Sequence, residues 1–131
     1  AREGYVPGGG VTALRAIYAL EAGRKNMQGD EKIGFDILAA ALEEPARQIA
    51  ENAGFEGDVV VEKVKEASGA EGFNAAKGSY EDLVKSGIID PALVVKSAIQ
   101  NAASVAGLML TTDVIVTELK DDDEPIEDSV S

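Results

Sequence analysis

Between Ile33 and Leu42 the apolar residues recur with the period of an α-helix. Ile33, Ile37, Leu38, Ala41 and Leu42 stand at i, i+4, i+5, i+8 and i+9, the stripe that an amphipathic helix turns toward a core. A stripe of that kind has to be covered, and the side chains available to cover it are small. Aromatic residues make up 5% of the chain and Trp is absent, so Ala, Val, Ile and Leu must fill the interior. That favours closely packed helices over an aromatic-rich sandwich. With 131 residues the chain is one domain's worth, able to bury roughly two-thirds of its unfolded surface.

Other helices follow from the same reasoning. Leu14, Ile17, Tyr18 and Leu20 predict a helix from Val11 to about Lys25, with Arg15, Glu21 and Arg24 facing water. Pro45 lacks an N–H and disfavours helical geometry at Glu44, so the helix begun near Ile33 is expected to stop at "LEEP". A new helix then carries Ala46, Ile49, Ala50 and Ala53 on one face, with Gly54 as its C-terminal cap. "DVVVEKVKEA" reads as a strand by its three valines and as a helix by Val60, Val64 and Ala67. The helix is preferred, with Asp58 as N-cap.

From Ser68 to Ile89 the helical period fades. Short strands are expected around Gly72–Ala76, a turn near Lys77–Ser79 and one helical turn from Tyr80 to Val84. Asp90 then suits an N-cap and Pro91 a first helical position. The helix they open carries Val94, Ala98, Ala102, Val105, Ala106 and Met109 on one face, and its small residues suit a helix crossing the domain centre. "TTDVIVTEL" predicts a strand near the C-terminus whose edges need a partner. The expected fold is mainly α: a helical bundle with a small β element near 72–89 and a C-terminal strand.

Charge narrows the function. The chain carries 24 acidic and 12 basic residues, a net charge of -12, and the run Asp121 to Ser131 contains no base. No basic patch is available to neutralise phosphates, which argues against nucleic acid and against anionic membranes. There is neither Cys nor His, which removes disulfides, thiolate metal sites and the commonest general base. The most apolar stretch, Ala102 to Leu110, is too short to span a bilayer, and a cytoplasmic protein is expected. The chain opens on "AREGYV" without Met, as a piece of a longer protein would.

Pro7-Gly8-Gly9-Gly10 precedes a helix. Glycines let backbone N–H groups approach an anion and the helix N-terminus adds partial positive charge, yet the pattern is neither a Walker loop nor GxGxxG. A structural loop and a phosphate or ribose seat both fit it. Asn74 in "GFNAAK" suits a turn, or a base edge with the small Ala75 and Ala76 beside a ring. Asp90 suits a helix cap, or a ribose hydroxyl. The acids Glu43, Glu44, Glu51, Glu56, Glu62 and Glu66 read as a solvated surface, and none pairs into a metal or acid–base constellation.

Three stretches taken together are specific. "EGYVPGGGVTALRA", "ILAAALEEPARQIAENAGFEGDVVVEKV" and "GFNAAKGSYEDLVKSGIIDPALVVKSAIQNAASVAGLMLTT" resemble, in order over residues 1–119, the C-terminal half of the equatorial domain of the group I chaperonins, the GroEL family. The resemblance implies residues 1–119 as the C-terminal part of that domain; the acidic run 120–131 departs from the family's usual ending, and its charge predicts a disordered tail. It implies a part of an ATP-dependent chaperone that assists protein folding, with ATP as cofactor. Gly9 would lie at the nucleotide, Asn74, Ala75 and Ala76 at the base, and Asp90 at the base–ribose side. The family's GDGTTT loop and the Asp that positions the attacking water have no match here, so Mg²⁺ would be held by the missing part of the parent and the chain by itself would be inactive as an ATPase. The resemblance also implies self-association, stacked homo-oligomeric rings in the parent, and GroES and unfolded clients as partners of the absent apical domain. A free-standing helical interaction module is the alternative. Either way, apolar surface left uncovered predicts small oligomers.

Overall fold

A computed structural model describes residues 4–108. Within them the order is β1 (Tyr5–Pro7), α1 (Val11–Glu21), a short 3₁₀ turn (Arg24–Asn26), α2 (Asp30–Asn52), α3 (Gly57–Glu66), β2 (Glu71–Asn74), β3 (Ser79–Asp82), β4 (Ile89–Pro91) and α4 (Ala92–Val105). The expectation of a mainly helical fold with a small β element holds. The expected strand in "TTDVIVTEL" and the acidic tail lie outside the described residues.

α2 is the spine. Leu38, Leu42, Ala46 and Ala50 are buried at four-residue intervals along it, with Phe35 at its start. Against this stripe pack Val11, Leu14 and Ile17 of α1, Val60, Val61 and Val64 of α3, and Ile99 and Ala103 of α4. Burying a Val, Leu or Ile side chain stabilises by roughly 1.5–3 kcal/mol, so this aliphatic contact set dominates the fold. The crossing of α2 and α4 is tight: a Cβ at Gly34 would lie 2.4 Å from the Ala106 carbonyl oxygen.

Pro45 does not end a helix. It lies inside the 23 residues of α2, and the buried stripe runs past it in unbroken register. Pro45 and Ala41 are both on the exposed side, so the carbonyl that loses its intrahelical N–H faces water. The core side keeps its hydrogen bonds and its packing. Ile49 and Ala53, expected on the buried face, are exposed. α2 closes at Gly54, where φ is +89°. The Gly54 N–H bonds Glu51 O and the Phe55 N–H bonds Ala50 O, the paired capping pattern that favours glycine.

"DVVVEKVKEA" is a helix, as preferred, but its first turn starts at Gly57 and Asp58 caps nothing with its side chain. Asp58 instead pairs with Arg47 of α2 at 2.8 Å. α1 ends at Glu21, short of Lys25.

Tyr80 is in a strand, not a helical turn. β2 and β3 form an antiparallel hairpin with Phe73 opposite Tyr80. Phe55, Phe73 and Tyr80 stack in series, with ring centroids 4.8 and 5.0 Å apart. This aromatic cluster holds the Tyr80 segment extended. A second pair joins β1 to β4, with Val6 opposite Asp90; the sequence pattern carries no alternation long enough to reveal it.

α4 is rotated from its expected face. Ile99 and Ala103 are buried and Val95, Ala102 and Ala106 pack beside them, while Val94 and Val105 are 62% and 89% exposed. The helix therefore lies against α2 and α1 by one side rather than crossing the centre.

Candidate functional site

The triple-glycine segment joins β1 to α1 and is gripped from several directions. The Gly8 N–H donates to Ile88 O at 2.8 Å, and the Thr12 hydroxyl donates to Pro7 O at 3.0 Å. Gly9 and Gly10 take φ of +66° and +81°, a region that side chains disfavour. Packing requires the same residues. A Cβ at Gly10 would stand 2.6 Å from the Ala46 nitrogen, and one at Gly9 would stand 2.9 Å from Cδ1 of Leu83. Leu83 is completely buried and also fills the space beside Gly72, where a Cβ would lie 2.9 Å from it. One leucine thus seats the glycine loop on the hairpin.

These contacts bring the expected site residues onto neighbouring segments. Gly9 lies beside the carbonyl of Phe73, with 3.8 Å from its Cβ position to that oxygen, and Asn74 is the next residue. Asp90 lies two residues beyond Ile88, the acceptor of the Gly8 N–H, and stands opposite Val6. Ala75 and Ala76 form the turn that leaves β2.

Asp90 is not a helix cap. It sits in β4 and is exposed, and α4 begins with Pro91 at the N-cap position and no side-chain cap. The Ala92 N–H donates to Gly4 O at 3.0 Å, so the residue just before β1 supplies the acceptor a cap would have given. The carboxylate of Asp90 is left to face outward.

Asn74 is buried and makes a turn. Its Oδ1 accepts from the N–H of Ala76 at 3.1 Å and of Lys77 at 3.3 Å. Its Nδ2 donates to Glu81 at 3.1 Å. Glu81 also accepts from Ser79 Oγ at 2.6 Å and from Ser86 Oγ. Hydrogen bonds from Ser79, Ser86 and Asn74, in that order, hold its carboxyl down at about 2. Glu81 escapes a reading of the sequence; its only signal is the two-residue spacing that puts Ser79 and Glu81 on one face of a strand.

Two further charged groups were assigned to water and are not free there. Arg15 spends its guanidinium on Val64 O, Gly69 O and Glu71 O at 2.9, 3.0 and 2.9 Å, closing the C-terminal end of α3 onto α1. Glu43 is partly buried and accepts from Arg47 and Lys65, each at 2.9 Å. Burial pushes its carboxyl up, but those two cations outweigh burial and hold it below the usual carboxylate range. The other acids named with it, Glu44, Glu51, Glu56, Glu62 and Glu66, are exposed as expected. A cleft of about 550 Å³ opens between α1 and the end of α3, beside Arg15, Tyr18, Lys65 and Gly69; none of the expected site residues lines it.

Chemically, the expected set offers an amide, a carboxylate, small side chains and backbone. It contains no cation, so nothing in it neutralises a phosphate. Its donors and acceptors fit the base and ribose of a nucleoside. Among the described residues no three acidic side chains converge on a point where they would hold a metal ion, and no helix is long and apolar enough to cross a membrane.

A family model described as the TCP-1/cpn60 chaperonin family matches residues 1–120. The chain belongs to the TCP-1/cpn60 chaperonin family. Among solved structures it is similar to an open-state monomer of a group II chaperonin from Methanococcoides burtonii, at 24% identity and a TM-score of 0.66, over 88% of this chain and 28% of that one. It is also similar to a group III chaperonin in the open state, at 31% identity and a TM-score of 0.69, over 91% of this chain and 23% of that one. The chaperonin chain thus spans about a quarter of the length of these neighbours. The family expected from the motifs is confirmed at the level of TCP-1/cpn60; the solved neighbours belong to groups II and III, and the group I assignment is not carried by them.

Proposed function

We propose that this chaperonin chain forms the adenosine side of an ATP site in an ATP-dependent chaperone that assists protein folding. Gly9 would lie against the nucleotide, Asn74, Ala75 and Ala76 beside the base, and Asp90 at the ribose hydroxyls. The observation that carries the reading is the convergence of three distant segments: the glycine loop rests on the carbonyl of Phe73 and is hydrogen-bonded to Ile88. When ATP and Mg²⁺ are bound, phosphoryl transfer requires the metal and a placed water; those are assigned to residues outside this chain. The chain's own residues orient the nucleoside and exclude water from its base. Assignment to group I, a cytoplasmic setting, stacked rings and partnership with a GroES-type co-chaperonin and unfolded clients complete the proposal. Its support is the motif set around residues 4–16 and 72–112.

Titration calorimetry with ADP and ATP in the presence of Mg²⁺, alongside a phosphate-release assay, tests it. Binding that weakens about tenfold in Asp90→Ala, the loss of one charge-assisted hydrogen bond, is the expected result, with no phosphate released. Phosphate turnover by the chain alone, or binding indifferent to Asp90, overturns it. A second reading, a helical interaction module, is favoured by one observation: Val94 and Val105 share an exposed side of α4.

A further inference from the structure

Glu81 has a set of contacts that a surface carboxylate does not need. Water ordinarily satisfies such a group, yet here three protein donors converge on it. Ser79 Oγ stands at 2.6 Å, Asn74 Nδ2 at 3.1 Å and Ser86 Oγ closes the set. Lys77 Nζ lies further out at 3.9 Å. In the hairpin register Glu81 stands opposite Gly72, and Asn74 opposite Ser79. Because strand side chains alternate, all four positions share one face. That face is turned to the start of α1 and to Leu83, since a Cβ at Gly72 would lie 2.3 Å from Val11 and 2.9 Å from Leu83, the same leucine that seats Gly9.

The consequence falls on Asn74. A side-chain amide has one acceptor oxygen and two N–H donors. The oxygen is spent on Ala76 and Lys77, and one N–H is spent on Glu81. Three bonds from two directions leave the amide plane no freedom to rotate, and one N–H remains uncommitted to these partners. We propose that Glu81 is a positioning residue of the adenosine seat: it fixes the amide of Asn74 so that the remaining N–H meets N1 on the Watson–Crick edge of adenine, an acceptor where guanine carries an N–H. The inference rests on the nucleotide reading above and deepens it, since it assigns recognition of the base to a pair, Asn74 with Glu81, rather than to Asn74 alone. The two serines and Lys77 hold the carboxylate; they do not meet the base.

The test uses the full chain with Glu81→Ala and Glu81→Gln, two readouts and two probes, ADP and GDP. The side-chain NH₂ signals of Asn74 in ¹⁵N spectra report positioning without any nucleotide. In Glu81→Ala these signals are expected to move to solvent-like positions and ADP to bind about tenfold more weakly, the loss of one oriented hydrogen bond. GDP binding is expected to change by less than about threefold. Glu81→Gln keeps an acceptor oxygen and restores ADP binding to within about threefold of the parent. Unchanged Asn74 signals in Glu81→Ala overturn the inference whatever the nucleotide does. Equal weakening of ADP and GDP, or weakening that Glu81→Gln does not restore, also overturns it and leaves a structural role only. A parent chain that binds neither nucleotide overturns the adenosine seat itself and this inference with it, an outcome separable from the others because it needs no variant.

Discussion

A methyl group added at position 10 would lie 2.6 Å from the backbone nitrogen of Ala46, on a residue whose φ is +81°. Neither the chain conformation nor the neighbour can yield cheaply, because Ala46 is buried on the spine helix. Gly10→Ala is therefore expected to destabilise the chaperonin chain by about 2–4 kcal/mol, strain and overpacking together, measured as a shift of the urea midpoint. At Glu81 the prediction concerns pH. Its carboxyl is held at about 2 against an ordinary value of 4.5, so the folded state favours the ionised form. The stability this contributes is complete above about pH 4.5 and is lost as pH falls toward about 2. A carboxyl titration followed by NMR should place the Glu81 midpoint well below those of the exposed glutamates. Both residues also show what a sequence conveys at this scale. The glycine run announces a special backbone, since little else tolerates positive φ. The three donors around Glu81 come from both ends of a hairpin, and no spacing rule connects them.

Helix α2 shows how one element can override its strongest local signal. A proline in a helix interior removes a hydrogen bond and crowds the preceding turn, at a cost of about 3 kcal/mol relative to Ala. α2 nevertheless runs through Pro45 because its buried residues continue at four-residue intervals past the exposed proline. Replacing the proline should restore the N–H to Ala41 O. Part of that gain is offset by the freer unfolded chain. Pro45→Ala is accordingly expected to stabilise by about 1–2 kcal/mol, read from thermal and urea unfolding; a destabilised variant would mean that the proline itself is required by the packing. Gly54 was legible as the end of α2, but the period along that helix was only half right: of Ile33, Ile37, Leu38, Ala41 and Leu42, Leu38 and Leu42 are buried and the others exposed, because the core covers a narrower stripe than the apolar residues span. The period misled by a rotation at α4, where Val and Ala occur on every side and only contact with α2 decides which are covered. It missed β1 and β4, each three residues long, because pairing across more than eighty residues leaves no local trace.

At the scale of the whole molecule, the aliphatic side of α4 stays open. Val94 is 62% and Val105 89% exposed, and Leu93 lies beside them at 54%. Covering such residues removes roughly 25 cal/mol per Å² of apolar area from water, so the chain is expected to form small oligomers at high concentration. Sedimentation velocity should show the combined Val94→Lys and Val105→Lys change shifting it toward the monomer; an unchanged distribution would place the association elsewhere. The residues alone determined the class of this protein. An aliphatic, aromatic-poor composition at helical period can only bury itself as packed helices, and the ordered motifs from Gly4 to Thr112 specify the chaperonin family. Tertiary structure decided the rest: which side of α4 is buried, that α2 ignores its proline, that Asp90 lies in a strand facing outward, and that Glu81 holds Asn74. Those outcomes depend on atoms brought together from distant parts of the chain, where the free energy of a contact is settled by what stands opposite rather than by what stands next.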